Sequence, residues 1–158
     1  MDHAERTDLI ERYETGPDVV REALAGASEA ELDRRPAEGE WSAREIVHHC
    51  ADSEMTSAIR LRRLLAEDDP EITGYDPDGF ADRLFYSDRP LEASLDAVRA
   101  SRRTSAEILK RLDDDQWARS GHHTETGPYG VEKWLQIYAE HCHDHADQIR
   151  RARASADA

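Results

Sequence analysis

The sequence predicts an all-α protein, a four-helix bundle with a long crossover between its second and third long helices. Three observations carry that expectation. Apolar residues recur at helical spacing along four long segments. Capping-box patterns, Ser28-Glu29-Ala30-Glu31 and Ser42-Ala43-Arg44-Glu45, open two of the helical stretches. No segment alternates apolar and polar residues convincingly enough to read as a strand.

Thr7 to Ala25 carries Leu9, Ile10, Val19, Val20, Ala23 and Leu24. Gly16-Pro17 interrupts it, so one kinked helix or two short ones are expected, ending at Gly26. The box at Ser28 opens a short helix that stops before Pro36, and a polar loop follows. The second long helix starts at Ser42 and meets no breaker until about Glu67. Its apolar side is Ile46, Val47, Cys50, Ala58, Leu61, Leu64 and Leu65. On one flank His49, Ser53, Thr56 and Arg60 fall within roughly 60° of one another, a polar seam suited to a pocket wall. His48 lies about 100° further round and is expected at the surface.

Asp68 to Pro90 is too long for a turn and holds Tyr75, Phe80, Phe85 and Tyr86. A crossover with a short helix near Asp78 to Leu84 accounts for both features and lets the helices on either side run parallel. Leu91 to Leu112 is the third long helix, with Leu91, Leu95, Val98, Ile108, Leu109 and Leu112 inward. An irregular stretch from Asp113 to Tyr129 precedes the last helix, which begins near Val131. Residues 1–151 read as one domain and 152–158 as a frayed tail.

Acidic residues outnumber basic ones, 35 to 21, for a net charge of −14. That excludes non-specific nucleic-acid binding and docking on an anionic membrane. No apolar run is long enough to span a bilayer, and the charged N-terminus lacks the centre of a secretory signal, so a cytoplasmic protein is expected. Two cysteines, Cys50 and Cys142, do not suggest a disulfide scaffold.

The last helix carries the chemistry. Trp134, Tyr138, His141, His145 and Ile149 fall within roughly 80° on one face. Two imidazoles four residues apart can share a metal ion, with a further ligand from elsewhere. A pair of hydrogen-bonded core histidines is the competing reading. Candidates for the further ligand are His49, Cys50, Glu54, His122, His123 and Cys142. His49 is favoured, because its helix must pack beside the last one and it faces the polar seam. A closed Cys/His tetrad through Cys50 and Cys142 ranks below it, since structural zinc sites usually sit on short knuckles.

Trp41-Ser42-Ala43-Arg44-Glu45-Ile46-Val47-His48-His49-Cys50-Ala51-Asp52 resembles the signature W-[ST]-x-x-x-[VI]-x-x-H-x-A-D of the DinB superfamily, most closely its YfiT-like branch. The spacing from Trp41 matches at His49, not His48. Tyr138-x-x-His141-x-x-x-His145-x-x-Gln148-Ile149 is similar to the family's final-helix segment, and the stretches after Arg60 and around Arg119 to His123 also resemble the YfiT branch. The resemblance implies three histidines, His49, His141 and His145, holding one divalent ion, zinc or nickel, at one end of a bundle that is often a homodimer. It also implies activities known in the family: transferases using bacillithiol or mycothiol, a mycothiol-dependent maleylpyruvate isomerase, and metal-dependent hydrolases.

A tri-histidine ion with an open position can lower the pKa of a thiol, generate hydroxide from water, or polarise a carbonyl. No Glu follows a ligand as in H-E-x-x-H, and Glu140 should point away, which tilts the reading toward thiol activation. Glu54 is expected either to orient a ligand or to pair with an arginine at the bundle edge. Arg60 is expected to hold a carboxylate of thiol or substrate, or to form an ordinary salt bridge. Tyr138 is a pocket hydrogen bonder or simply core. His123 is expected in a Gly-rich loop, either reaching the mouth of the site or exposed without a role, His3, His48, His122 and His143 at the surface, and Trp41 and Trp134 in packing. The function expected is therefore a transferase joining a small bacterial thiol to an electrophile; a hydrolase and a non-catalytic metal- or ligand-binding module are the alternatives.

Overall fold

The structure, a computed structural model, describes residues 1–154. Four long helices, α1 (His3–Ala23), α3 (Ala43–Ala66), α5 (Glu92–Leu109) and α7 (Val131–Ala154), form the bundle. Between them lie the short helices α2 (Glu29–Asp33), α4 (Pro77–Arg83) and α6 (Asp114–Trp117).

Local chemistry sets the helix starts. Asp2 begins α1 earlier than the apolar pattern suggested: its carboxylate accepts the Glu5 N–H at 2.9 Å while Glu5 takes the Asp2 N–H at 2.7 Å. Ser28 and Ser42 form the expected capping boxes at α2 and α3. The Gly16-Pro17 pair does not divide α1, which continues through it. Proline lacks the N–H that would bond the carbonyl of Tyr13 four residues back. Arg102 Nη1 fills that vacancy, donating to Tyr13 O at 2.6 Å. The bare Cα of Gly16 makes room for it, since a Cβ there would stand 2.1 Å from Arg102 Nη1.

Paired contacts fix the helix directions. His48 meets Ser94 and Arg62 meets Ser105, so α3 and α5 run parallel, as the long crossover allowed. Arg6 with Glu132 and Arg12 with Glu140 make α1 and α7 parallel. His49 near His145 and Trp134 bonded to Ser57 O make α3 and α7 antiparallel. The crossover does contain a short helix, α4.

Three expectations are corrected. Three short strands do exist: β1 (Glu71–Ile72) pairs parallel with β2 (Ser120–His123), which pairs antiparallel with β3 (Gly127–Gly130). Strands of two to four residues are too short to show an alternation in sequence, and Gly127, at φ +77°, turns the hairpin. His48 is fully buried, not at the surface. Its ring lies 2.8 Å from Ser94 Oγ and 3.1 Å from Arg89 O, pinning the end of the crossover to α3. The last helix continues past residue 151: Ala152 is buried, and Arg153 bonds the carbonyls of Ala23 and Ala25. The rest of the expected tail, 155–158, lies outside the described residues. Among the described residues, no helix is long and apolar enough to cross a membrane.

The core has two apolar parts. One gathers Tyr13, Leu61, Leu64, Leu109, Trp134 and Leu135; the other gathers Val20, Ile46, Val47, Val98, Ala146 and Ile149. Between them in sequence along the long helices come Gly16, Glu54, Arg102 and His141.

Gly16→Ala tests this arrangement. Its Cβ would also come 2.9 Å from Cys142 Cβ, and Arg102 could move aside only by giving up bonds to Tyr13 O, Glu54 or Tyr138 O. Overpacking of this kind costs about 1–3 kcal/mol. Urea unfolding should show a loss in that range, and an unchanged midpoint would mean that Arg102 can withdraw.

Candidate metal centre

Antiparallel packing of α3 on α7 brings His49 beside His141 and His145, which sit one turn apart on α7. Ring centroids lie 5.5 Å apart for His49–His141, 4.7 Å for His49–His145 and 4.5 Å for His141–His145. One nitrogen from each ring lies within 4.8 Å of the other two.

The hydrogen bonding fits a cation. Nδ1 of His49 is buried without a hydrogen-bond partner among the described residues, whereas Nδ1 of His141 faces Glu54 and leaves Nε2 for the cluster. Such orphaned buried groups cost about 1–3 kcal/mol each and call for an explanation. His145 Nδ1 lies 2.8 Å from Gln148 Oε1, which holds the ring and leaves Nε2 for the cluster. Trp41 lies over His49, its ring centroid 4.8 Å away, and so covers the centre as well as packing. Imidazole nitrogens suit zinc or nickel.

Electrostatics distinguish the three rings. Burial, then repulsion from the other two rings, pushes the pKa of His49 down to about 3. Burial and His141 push His145 down to about 4. Both are therefore neutral near pH 7, with lone pairs available. Burial also disfavours charge on His141, but contacts with Cys142 and Glu54 outweigh it and raise the pKa to about 9. Glu54 Oε1 is 3.5 Å from His141 Nδ1, longer than an ordinary hydrogen bond but close enough to favour a positive ring.

Glu54 is not at the bundle edge. It is fully buried and pairs with Arg102, itself 1% exposed, at 2.7 Å. Burial opposes its ionisation, yet Arg102 and His141 hold its pKa below the usual carboxylate range. The expected pairing with an arginine is present, in the interior instead of at the edge, and the carboxylate also stands 3.5 Å from a ligand candidate. Sequence reasoning missed Arg102. The available signal was its position on the buried face of α5, one turn after Val98 and one turn before Ala106.

Arg60 reaches the same seam. Its Nη1 donates to Tyr138 Oη at 3.3 Å and Nη2 to Thr73 O at 2.6 Å, while its guanidinium lies 5.8 Å from the Tyr75 ring. Among the described residues no carboxylate pairs with it. Ser53 Oγ lies 3.4 Å from His141 Nε2. His123 is no exposed loop residue: it is 6% exposed, sits in β2, packs on Tyr129 and accepts the Glu125 N–H at 3.2 Å. His3 and His122 are exposed as expected, and His143 is partly exposed against Arg12 O. Both cysteines are buried free thiols. Cys142 approaches Glu54 and His141, but neither sulfur joins the three-histidine group. None of the three histidines lines a cavity of about 510 Å³ bounded by Glu40, Trp41, Asp78, Gln148 and Arg151 among others, but Trp41, over His49, and Gln148, bonded to His145, do.

Comparisons with known proteins agree with this fold. The sequence profile of the DinB superfamily matches residues 12–149. A protein of Oceanobacillus iheyensis, provisionally named a metal-dependent hydrolase, is 30% identical over 142 residues, covering 90% of this chain and 82% of that one. YfiT of Bacillus subtilis, named in the same provisional way, is 29% identical over 141 residues, covering 89% and 79%. The solved structure of YfiT, described as having an unusual four-helix bundle topology, superposes with a TM-score of 0.91 over 96% of this chain and 87% of that chain. A mycothiol-dependent maleylpyruvate isomerase shares the fold, with a TM-score of 0.71 at 13% identity, over 91% of this chain and 60% of that chain.

The histidine electrostatics predict a pH dependence. In the unfolded chain His49 and His145 take up protons near pH 6.5, in the folded chain only near 3 and 4. The unfolded state therefore binds more protons as pH falls from 6.5 toward 4, and folding stability falls with it. Urea unfolding of metal-stripped protein should show a loss of at least about 2 kcal/mol between pH 6.5 and 4.5. His49→Leu, with one such site removed, should lose less over the same interval.

Proposed function

The chain belongs to the DinB superfamily, and from that premise we propose that it is a metal-dependent transferase joining a small bacterial thiol to an electrophile. His49, His141 and His145 would hold one divalent ion, zinc or nickel. The observation that carries this reading is the convergence of three imidazoles, each with a nitrogen within 4.8 Å of the other two, and the orphaned Nδ1 of His49 among them. A divalent ion held there supplies a Lewis acid that makes a bound thiol more acidic.

The chain's own residues would do the rest. His49 and His145, neutral at physiological pH, offer lone pairs without first losing a proton. Arg60, free of any carboxylate among the described residues, would receive an anionic group of the thiol or the acceptor, with Tyr138 holding the guanidinium in place. The cavity by Trp41 would house the body of the thiol, of the mycothiol or bacillithiol type. In the transfer a carbon–sulfur bond forms, the acceptor's leaving group departs with its electron pair, and the thiol proton passes to solvent.

A hydrolase is the second reading, supported by the names of the relatives. Glu54 argues against it, because this buried carboxylate beside the histidines is tied to Arg102 and poorly placed to take a proton from water. A cytoplasmic location and a homodimer belong to the same proposal, the dimer supported by exposed Met55 and Ile59, four residues apart on α3.

Metal-loaded protein incubated with mycothiol, bacillithiol or glutathione and a chlorodinitrobenzene acceptor should form the conjugate, followed by absorbance, and lose that activity when the metal is stripped. Absence of metal-dependent conjugation with all three thiols would remove the proposal, and turnover of esters or lactones without thiol would favour the hydrolase. Arg60→Ala should raise the KM for the anionic partner by about 10-fold, the value of one hydrogen bond to a charged group.

A further inference from the structure

We propose that Arg102 is a positioning residue for the histidine centre, acting through Glu54. The inference rests on the reading of His49, His141 and His145 as metal ligands.

The same oxygen of Glu54, Oε1, lies 2.7 Å from Arg102 Nη2 and 3.5 Å from His141 Nδ1. Carboxylate, imidazole and ion in that order is the arrangement by which proteins fix the tautomer and tilt of a ligand histidine. Arg102 then fixes the carboxylate. Its Nη1 donates to Tyr13 O at 2.6 Å, its Nη2 also donates to Tyr138 O at 2.7 Å, and its guanidinium lies 4.3 Å from the Tyr13 ring centroid. Tyr138 O is on α7 one turn before His141, so the same guanidinium grips both the carboxylate and the backbone that carries the ligand. Gly16 and Pro17 supply the space and the unclaimed carbonyl that let it do so.

Stability alone does not call for this arrangement. An apolar pair of similar volume commonly matches or exceeds a buried ion pair, whereas removing one partner costs about 3–5 kcal/mol. A fully buried charge pair between two apolar clusters, touching a candidate ligand, is better explained by what it does to that ligand.

Glu54→Gln, Arg102→Met and the double variant separate the two accounts. The readouts are the zinc dissociation constant, by competition with a chromophoric chelator, and the visible d–d bands of the cobalt(II) form. Loss of outer-shell positioning lowers metal affinity about 10–100-fold. That loss, with shifted cobalt bands, is expected in all three variants. The double variant leaves no unpaired charge and, although Tyr13 O loses its donor, should be more stable when metal-free than Arg102→Met, so it carries the test if Arg102→Met does not fold. Wild-type zinc affinity and cobalt bands in the double variant would overturn the proposal and leave the pair purely structural. Failure of the wild-type chain to bind zinc would instead overturn the metal reading, and this inference with it.

Discussion

A buried ion pair, Glu54 with Arg102, is the constraint that sets the register of all four long helices. Glu54 comes from α3 and Arg102 from α5; the guanidinium bonds carbonyls on α1 and α7. Sliding any one helix by a turn would strand a charge or a carbonyl in the interior, at a cost comparable to a sizeable share of a domain's whole stability. Apolar packing is less particular, because clusters of Leu, Ile and Val tolerate shifts that a hydrogen-bonded guanidinium does not.

That register places the histidines. With α3 antiparallel to α7, the turn of α3 before Glu54 faces the turn of α7 around His141 and His145, and His49 arrives among them. Burial first, and then repulsion between rings this close, keeps two of them neutral far below the usual histidine range. A net charge of −14 favours an incoming cation in general. Locally, the histidine lone pairs would add to that attraction.

Much of this was legible in the sequence because it rests on short-range rules. Ser42 and Glu45 mark the start of α3, and from there helical periodicity alone places His49 on the seam. The parallel run of α3 and α5 followed from the length of the crossover. Other features depend on partners distant in sequence. The seam angle placed His48 outside, but the returning crossover covers that side with Ser94 and Arg89. Gly16-Pro17 looked like an interruption because only Arg102, over 80 residues later, completes the helix there. Arg102 itself sat among inward-facing apolar residues of α5, where a charge signals a buried partner. The strands around Ile72 and His123 are shorter than any alternation can reveal, and their pairing is a tertiary fact.

X-ray absorption at the metal edge of the zinc- or nickel-loaded protein tests the central claim most directly. The account predicts a first shell of nitrogen or oxygen scatterers only, at about 2.0–2.1 Å for zinc, with the outer-ring signature of three imidazoles, reduced to two in His49→Ala. A sulfur scatterer near about 2.3 Å, bringing Cys50 or Cys142 into the shell, or an unchanged imidazole count in the variant, would contradict it.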